Sequence, residues 1–404
     1  MPFSKTKKIS QWITLVERPI ALEDNASYQL VTVRRGFAGV ESRGIFKGKE
    51  IKVKNYFVVQ TGDFLISKRQ IAHGACGIVP ESLDGAVVSN EYNVFVPQKE
   101  TNIDFFFLIM QLPYYKRLFY LMSDGVHIEK LLFKTNDWMK RSLSLPPLPE
   151  QQKIAAILST QDKVIELKEK LLAQKQQQKK YLMQQLLTGK KRLSGFNEKW
   201  KVEKFSEIFD FLSTNTLSRD NLFEGVGVIQ NIHYGDILTK FNEVIDLDCV
   251  CLPSIKESAI PNKCATVKSG DIIIADTAED LTAGKVVEVQ NIGDRVIYSG
   301  LHTMLCRPKE QLFSDGWLGF YMNSEAYHKQ LIPYIAGVKV MAISKSNIVK
   351  TYIAIPSKAE QAAIVEILST ADHEIDLLQK SIEAEKEKKK ALMQLLITGK
   401  VRGK

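Results

Sequence analysis

The sequence predicts an α+β protein organised as a pseudo-twofold repeat: two similar globular domains separated by two long helices that pair as an antiparallel coiled coil. Three observations predict this. A run in the middle of the 404-residue chain recurs at its end, each copy carries the periodicity and end marks of one long helix, and the stretches before the copies share short strand patterns. A chain of this length, 45% hydrophobic and 25% charged, has room for two domains with a core each.

The first domain is assigned to residues 1–148. Its clearest strand, Thr61-Gly62-Asp63-Phe64-Leu65-Ile66, is an apolar run after a Gly-Asp turn, and Val88-Ser89 precedes a second strand at Tyr92–Pro97. A central spacer helix, 149–192, follows Pro146-Pro147-Leu148-Pro149, since proline is tolerated only ahead of a helix or in its first turn. Gly189 followed by Lys190 marks its end, a glycine cap with a cation near the negative pole of the dipole. The second domain, 193–356, repeats the strand as Ser269-Gly270-Asp271-Ile272-Ile273-Ile274, with Tyr298-Ser299 before a strand at 302–308. Upstream, Leu30-Val31-Thr32-Val33-Arg34-Arg35-Gly36 lies against Val228-Ile229-Gln230-Asn231-Ile232-His233-Tyr234-Gly235. The C-terminal spacer helix, 357–404, copies the central one at a constant offset of 210: Glu150-Gln151 returns as Glu360-Gln361, 157–160 as 367–370, and Thr188-Gly189-Lys190 as Thr398-Gly399-Lys400.

Each helix has nearly 40 residues free of Pro and Gly, about 57 Å at 1.5 Å per residue. Apolar residues recur at sevens: Leu158, Ile165, Leu172 and Leu186 in one helix, Leu368, Ile375, Ile382 and Leu396 in the other, with Ile157, Val164 and Leu171 beside the first series. This is a coiled-coil seam, antiparallel because a globular domain separates its strands. The lysine runs 175–180 and 386–390 read as solvated helix faces with pairs such as Glu385 with Lys389. Leu182, Met183, Leu186 and Leu187 make too broad an apolar face for one seam, so partner docking is expected near the helix ends.

The formal net charge of +9 suits a nucleic-acid partner, but it divides as +6 over 1–148, +6 over 149–192, −4 over 193–356 and +1 over 357–404. Any DNA contact in the second domain must therefore come from a local patch. No apolar run approaches the roughly 20 residues that span a bilayer and no signal peptide is visible, so a cytoplasmic location without membrane contact is expected. Cys76, Cys249, Cys251, Cys264 and Cys306 offer only a C-x-C spacing and read as reduced core or strand residues, with no metal site.

Enzymatic motifs are missing. Gln184 and Gln394 stand where a phosphate-binding loop ending in Thr-Gly-Lys needs its first glycine. No methyltransferase tetrad and no dinucleotide-binding glycine pattern occurs, so no cofactor and no catalytic residue is assigned. Asp271 and Glu288 lack the lysine that a nuclease cluster places two positions on, and read as strand-edge carboxylates.

Pro146-Pro147-Leu148-Pro149-Glu150-Gln151-Gln152-Lys153-Ile154-Ala155 and its altered copy, Ile355-Pro356 to Glu360-Gln361, resemble the helix start of type I restriction-modification specificity subunits. Leu-Leu-Thr-Gly-Lys at 186–190, Leu-Ile-Thr-Gly-Lys at 396–400, Ser299-Gly300-Leu301-His302-Thr303 and Ile232-His233-Tyr234-Gly235-Asp236-Ile237 are similar to the same pattern. The resemblance covers essentially the whole chain. It departs at Ser357-Lys358-Ala359, where the first copy has Pro147-Leu148-Pro149, and before Tyr28, which does not match 195–200.

The resemblance implies two target-recognition domains, each reading half of a bipartite site in double-stranded DNA. It also implies two long helices that set the half-site spacing and dock two methyltransferase subunits, to which restriction subunits add. Half-sites one DNA turn apart, about 34 Å, suit a stiff spacer of this length.

Base edges and phosphates are met by side chains that fork or carry positive charge. The candidates in the first domain are Arg34, Arg35 and Arg43 around a Gly-rich turn, and Lys68, Arg69 and Gln70 after the repeated strand. In the second, Gln230, Asn231, His233 and Tyr234 occupy the positions aligned with the arginine pair, and Lys285 follows the second repeated strand. Unlike residues at matching positions make the expected target asymmetric. The rival reading is a non-catalytic coiled-coil scaffold for protein partners, which would show no salt-dependent binding to duplex DNA.

Overall fold

A computed structural model describes residues 5–52, 55–125, 131–225 and 227–397. It forms two compact units, Met1–Lys168 with Ser381–Lys404, and Glu169–Lys380. The long helices, Leu148–Leu186 and Lys358–Ile397, each give one part to each unit. The proposed second glycine cap, at Gly399, lies outside the described residues.

In the first unit, the antiparallel sheet Ile13–Val16, Tyr92–Pro97, Phe64–Ser67, Cys76–Ile78 stands beside a five-stranded one, Pro19–Ile20, Tyr56–Val58, Val87–Ser89, Ser27–Val33, Val40–Lys47. The Phe64–Ser67 strand is buried on both faces, which explains its unbroken apolar run. Phe64 and Ile66 face a core with Trp12, Phe106 and Trp138, while Leu65 faces a second one with Val31 and Val88. In the second unit the Ile272–Ala275 strand divides two cores in the same way, Ile272 and Ile274 on one side, Ile273 and Ala275 on the other.

The repeated Gly-Asp has a structural cause. Asp63 and Asp271 are buried, and each accepts the backbone N–H three residues back, from Gln60 and from Lys268, at 2.7 Å. Each is forked by an arginine: Arg18 at 2.6 and 3.1 Å, and Arg307 at 2.8 and 2.7 Å. A buried charge is tolerated only with this kind of pairing. Glu288 is no edge carboxylate. It is 2% exposed and accepts the N–H groups of Gly316 and Gly319 and the amide of Gln290, while burial pushes its carboxyl up to about 7.

The recurring glutamine at each helix start is a clamp. Gln151 accepts from the Asn102 N–H at 2.9 Å and donates to the carbonyls of Pro146 and Glu100. Gln361 accepts from the Ser314 N–H at 2.9 Å and donates to Pro356 and Leu312. Both side chains are fully buried, so the amide is needed to satisfy backbone groups that water cannot reach. The unmatched N-terminal segment also has a counterpart: Lys5–Lys8 pairs with Ser142–Leu145 as Lys201–Lys204 pairs with Tyr352–Ile355.

Within each unit the two helices run antiparallel. Lys168 meets Glu385 at 2.8 Å and Gln161 donates to Glu385 in the first unit, while Lys175 meets Glu374 at 2.7 Å in the second. Asp162 pairs with Lys389, and its repeat-equivalent, Asp372, pairs with Lys179 at 2.6 Å. Lys180, Lys386, Lys388 and Lys390 are solvated, the last three in pairs along their own helix, but Glu385 turns across to Lys168 rather than to Lys389, and Lys179 is largely withdrawn between Asp372 and Glu243. Leu158 and Leu368 are buried toward the helix starts, and Ile382 is buried beside the Lys168 crossing in the middle of the pair. Ile165, Leu172 and Ile375 are half-buried, and Ile157 and Leu171 are exposed. The broad apolar face has a use inside the units: Leu186 and Leu187 enter the second unit's core, as Leu396 and Ile397 enter the first unit's.

Candidate nucleic-acid interface

The arginine pair sits on the connection between strands Ser27–Val33 and Val40–Lys47. Arg34 N–H donates to the Gly39 carbonyl at 3.0 Å, closing the turn, and Gly36, Phe37 and Gly39 all have positive φ. The turn folds down onto the segment after Phe64–Ser67: Gly36 donates to the His73 carbonyl and Phe37 to the Gly74 carbonyl, both at 2.8 Å. These bonds hold the Arg34–Gly39 turn against the segment that follows Lys68, Arg69 and Gln70. Lys68 donates to the Asn90 carbonyl at 2.6 Å, and the exposed Arg69 and Arg34 pair with Glu91 and Glu41. Exposed ion pairs contribute little to stability, so these guanidinium groups can change partners. Arg43 is the extra residue of a β-bulge, between Ser42 opposite Val31 and Gly44 opposite Leu30, a device that re-aims an edge side chain.

The second unit answers with a different element at the same place. Its Ile229–Ile232 strand lies parallel to Val296–Ser299, as Leu30 lies parallel to Val87, but it runs into a short helix, Tyr234–Thr239. His233 caps that helix, its Nδ1 accepting the Gly235 N–H at 3.1 Å, and burial and the nearby Arg219 hold its pKa below the ordinary range. Its ring lies 4.6 Å from that of Tyr234, which lies 5.4 Å from that of His302. Gln230 is half-buried, and among the described residues its Oε1 has no hydrogen-bond partner.

Two candidates have other duties. Asn231 is fully buried and accepts from Asn215 at 2.8 Å. Lys285 donates to the carbonyls of Leu238 and Phe241 beyond the short helix, and burial lowers its pKa. Asn231 is closed to solvent, its Nδ2 without a partner among the described residues, and the Lys285 ammonium is taken up by those two carbonyls.

Sequence reasoning missed three features here. Arg219 forks onto the buried Asp236 at 2.8 Å through both nitrogens, which locks the start of the short helix. His302, with φ of 53°, is half-exposed and bonds to Asp276 at 3.2 Å. A hairpin-like finger rises where Met341–Ala342 pairs with Thr277–Ala278, and its tip exposes Val338, Lys339 and Val340. Positive φ in a non-glycine residue and exposed valines have no local sequence signal. The Ser299-to-Thr303 motif was the one pointer to His302.

The cysteine reading needs correction. All five are free and Cys76 and Cys306 are buried, but Cys249 and Cys251 are exposed on a loop. Among the described residues, no cluster of His, Cys, Asp or Glu could hold a metal ion and no helix is long and apolar enough to cross a membrane.

Fold and site together define a duplicated α+β scaffold in which like bodies carry unlike surface loops. The sequence model of the type I restriction modification DNA specificity domain matches residues 17–176 and 197–386, and the chain belongs to that family. It is similar to the type I restriction enzyme MjaVIII specificity subunit of Methanocaldococcus jannaschii, 28% identical over 69% of this chain; the matched part spans 65% of that relative's length. Its fold is similar to the HsdS subunit from Thermoanaerobacter tengcongensis, with TM-score 0.53, 17% identity and coverage of 99% of this chain and 98% of that one. A second likeness is to the type I restriction-modification system S subunit from M. genitalium, with TM-score 0.58, 12% identity and coverage of 98% and 96%.

Proposed function

We propose that this chain is the DNA-recognition subunit of a type I restriction-modification complex, reading a bipartite, asymmetric site and directing two methyltransferase subunits and the restriction subunits to it. It contributes recognition and no catalytic chemistry of its own. Its contact residues are Arg34, Arg35, Arg43, Lys68, Arg69 and Gln70 for one half-site, with Gln230, His233 and Tyr234 for the other. One observation carries the reading: two units of one architecture present an arginine hairpin and a capped helix from equivalent strands. Shared scaffolds with unlike side chains read unlike bases. Family membership and the long paired helices support the roles of partner platform and spacer.

The test is duplex binding by the chain with its methyltransferase subunit across a salt series, together with a map of methylated bases in cells with and without the gene. Affinity falling steeply with salt, and one bipartite methylated sequence lost with the gene, are expected. No salt-dependent binding to duplex DNA, with an unchanged methylation map, favours the protein-scaffold reading.

A further inference from the structure

Phe37 combines three features that its neighbours do not share. It is a bulky residue at φ 61°, a left-handed conformation that disfavours any side chain with a Cβ. Its ring is partly buried against the first unit's main core and lies 6.4 Å from the ring of Phe107, which in turn lies 6.0 Å from that of Phe64. The surface it rests on is cut to fit: a Cβ at Gly74 would stand 2.8 Å from the Phe37 ring, and a Cβ at Gly77 would stand 2.8 Å from the Gly39 Cα. Two backbone hydrogen bonds at 2.8 Å, from Gly36 and Phe37 to the carbonyls of His73 and Gly74, complete the contact. An exposed turn that only reversed the chain would need none of this. Glycine would serve better at 37, so the ring must return more than the strained backbone costs.

We infer that Phe37 is a positioning residue for DNA reading: its ring pins the Arg34–Arg35 turn onto the 68–74 segment, so that the two segments act as one rigid surface toward one half-site. This rests on the proposed DNA-reading role of that face. Rigidity matters here because base discrimination depends on aiming two nitrogens at two acceptors, and a swinging turn still finds phosphates while losing its aim. Phe37 itself touches no DNA.

The experiment uses the complex with its methyltransferase subunits and duplexes carrying the mapped target or single-base changes in either half. Arg34→Ala and Arg35→Ala first identify which half the first unit reads. Phe37→Gly accepts the left-handed backbone and removes the ring, while also freeing the turn's backbone; Gly74→Ala, itself strained at φ 75°, disturbs the same contact from the other side, and Phe37→Tyr keeps the ring. Expected for Phe37→Gly and Gly74→Ala is a loss of about tenfold or more in discrimination at that half, with the other half and the salt slope unchanged, and recovery in Phe37→Tyr. Equal losses at both halves would mean a merely structural role and overturn the inference. So would unchanged discrimination in Phe37→Gly while an arginine variant lowers it, which leaves the reading of the face intact. Silent arginine variants would overturn both.

Discussion

Arg34 and Arg69 are held by carboxylates they can release, Glu41 and Glu91, in pairs that are about half exposed. Replacing either of Arg34 and Arg35 with alanine is predicted to cost about 1–3 kcal/mol of binding if it removes a bidentate base contact, and to impair one half-site only. Methylation of duplexes altered in one half at a time measures this; unchanged affinity and unchanged methylated sequence in both variants would remove them from the interface. Glu288 makes a prediction about stability. Its folded pKa of about 7 lies above the ordinary 4.5, so between these values the folded chain holds more proton than the unfolded one. The stability it contributes is fully present below about pH 4.5 and is lost as pH rises through about 7. At about 1.4 kcal/mol per pKa unit the loss is on the order of 3 kcal/mol. Glu288→Gln should flatten this part of the pH profile, and a difference in melting temperature between variant and wild type that stays constant from pH 4.5 to 8 would contradict it.

At the scale of elements, the long helices are anchored in the two cores by their end turns, while between them Ile382 is buried amid half-buried seam residues. Leu368 is fully exposed to core neighbours and closed to solvent, whereas Ile165 is only half-buried in a stretch crossed by the Lys168 pair with Glu385. Lys168 and Gln161 hold the Glu385 carboxyl down at about 2. Leu368→Ala should therefore cost about 2–5 kcal/mol, as large-to-small changes in packed cores do. Ile165→Asp should cost less, because water already reaches that part of the seam and the new carboxylate can turn outward. Denaturant unfolding of the two variants ranks them, and a larger loss for Ile165→Asp would show a drier seam than this packing implies. The heptad pattern located the helix pair, but the charges across it were misassigned, since spacing along one helix carries no information about a facing one.

For the whole molecule, the proposed spacer role makes the helices a ruler. Lys175 faces Glu374 across the pair, so lengthening must be made in both helices at matched positions. Four residues inserted beside each of these two add about 6 Å and a net rotation of about 40°, with the added four absorbed as a stutter. One extra base pair adds about 3.4 Å and about 35°, so rotation favours a target whose unread spacer grows by one while both half-sites stay as they were. A methylation map with altered half-sites and the original spacer would show that these helices do not set the distance.

What the sequence determined by itself was what repetition and local chemistry encode. The 210-residue offset, the proline and glycine punctuation and the sevens in the apolar pattern define two bodies and two long helices, and the Gly-Asp run marks the strand buried on both faces in each. Only the tertiary structure decided which polar side chains are available. Asn231 and Lys285 look like Gln230 and Lys68 in the sequence, yet the first is sealed beside Asn215 and the second commits its ammonium to two carbonyls where burial lowers its pKa, while Lys68 makes one such bond at the surface. Phe37 reads as a loop residue until its ring is seen against Gly74 and Phe107. Burial and facing partners come from segments tens to hundreds of residues away, so the same residue type becomes a clamp, a cap or a free contact according to neighbours that no local pattern contains.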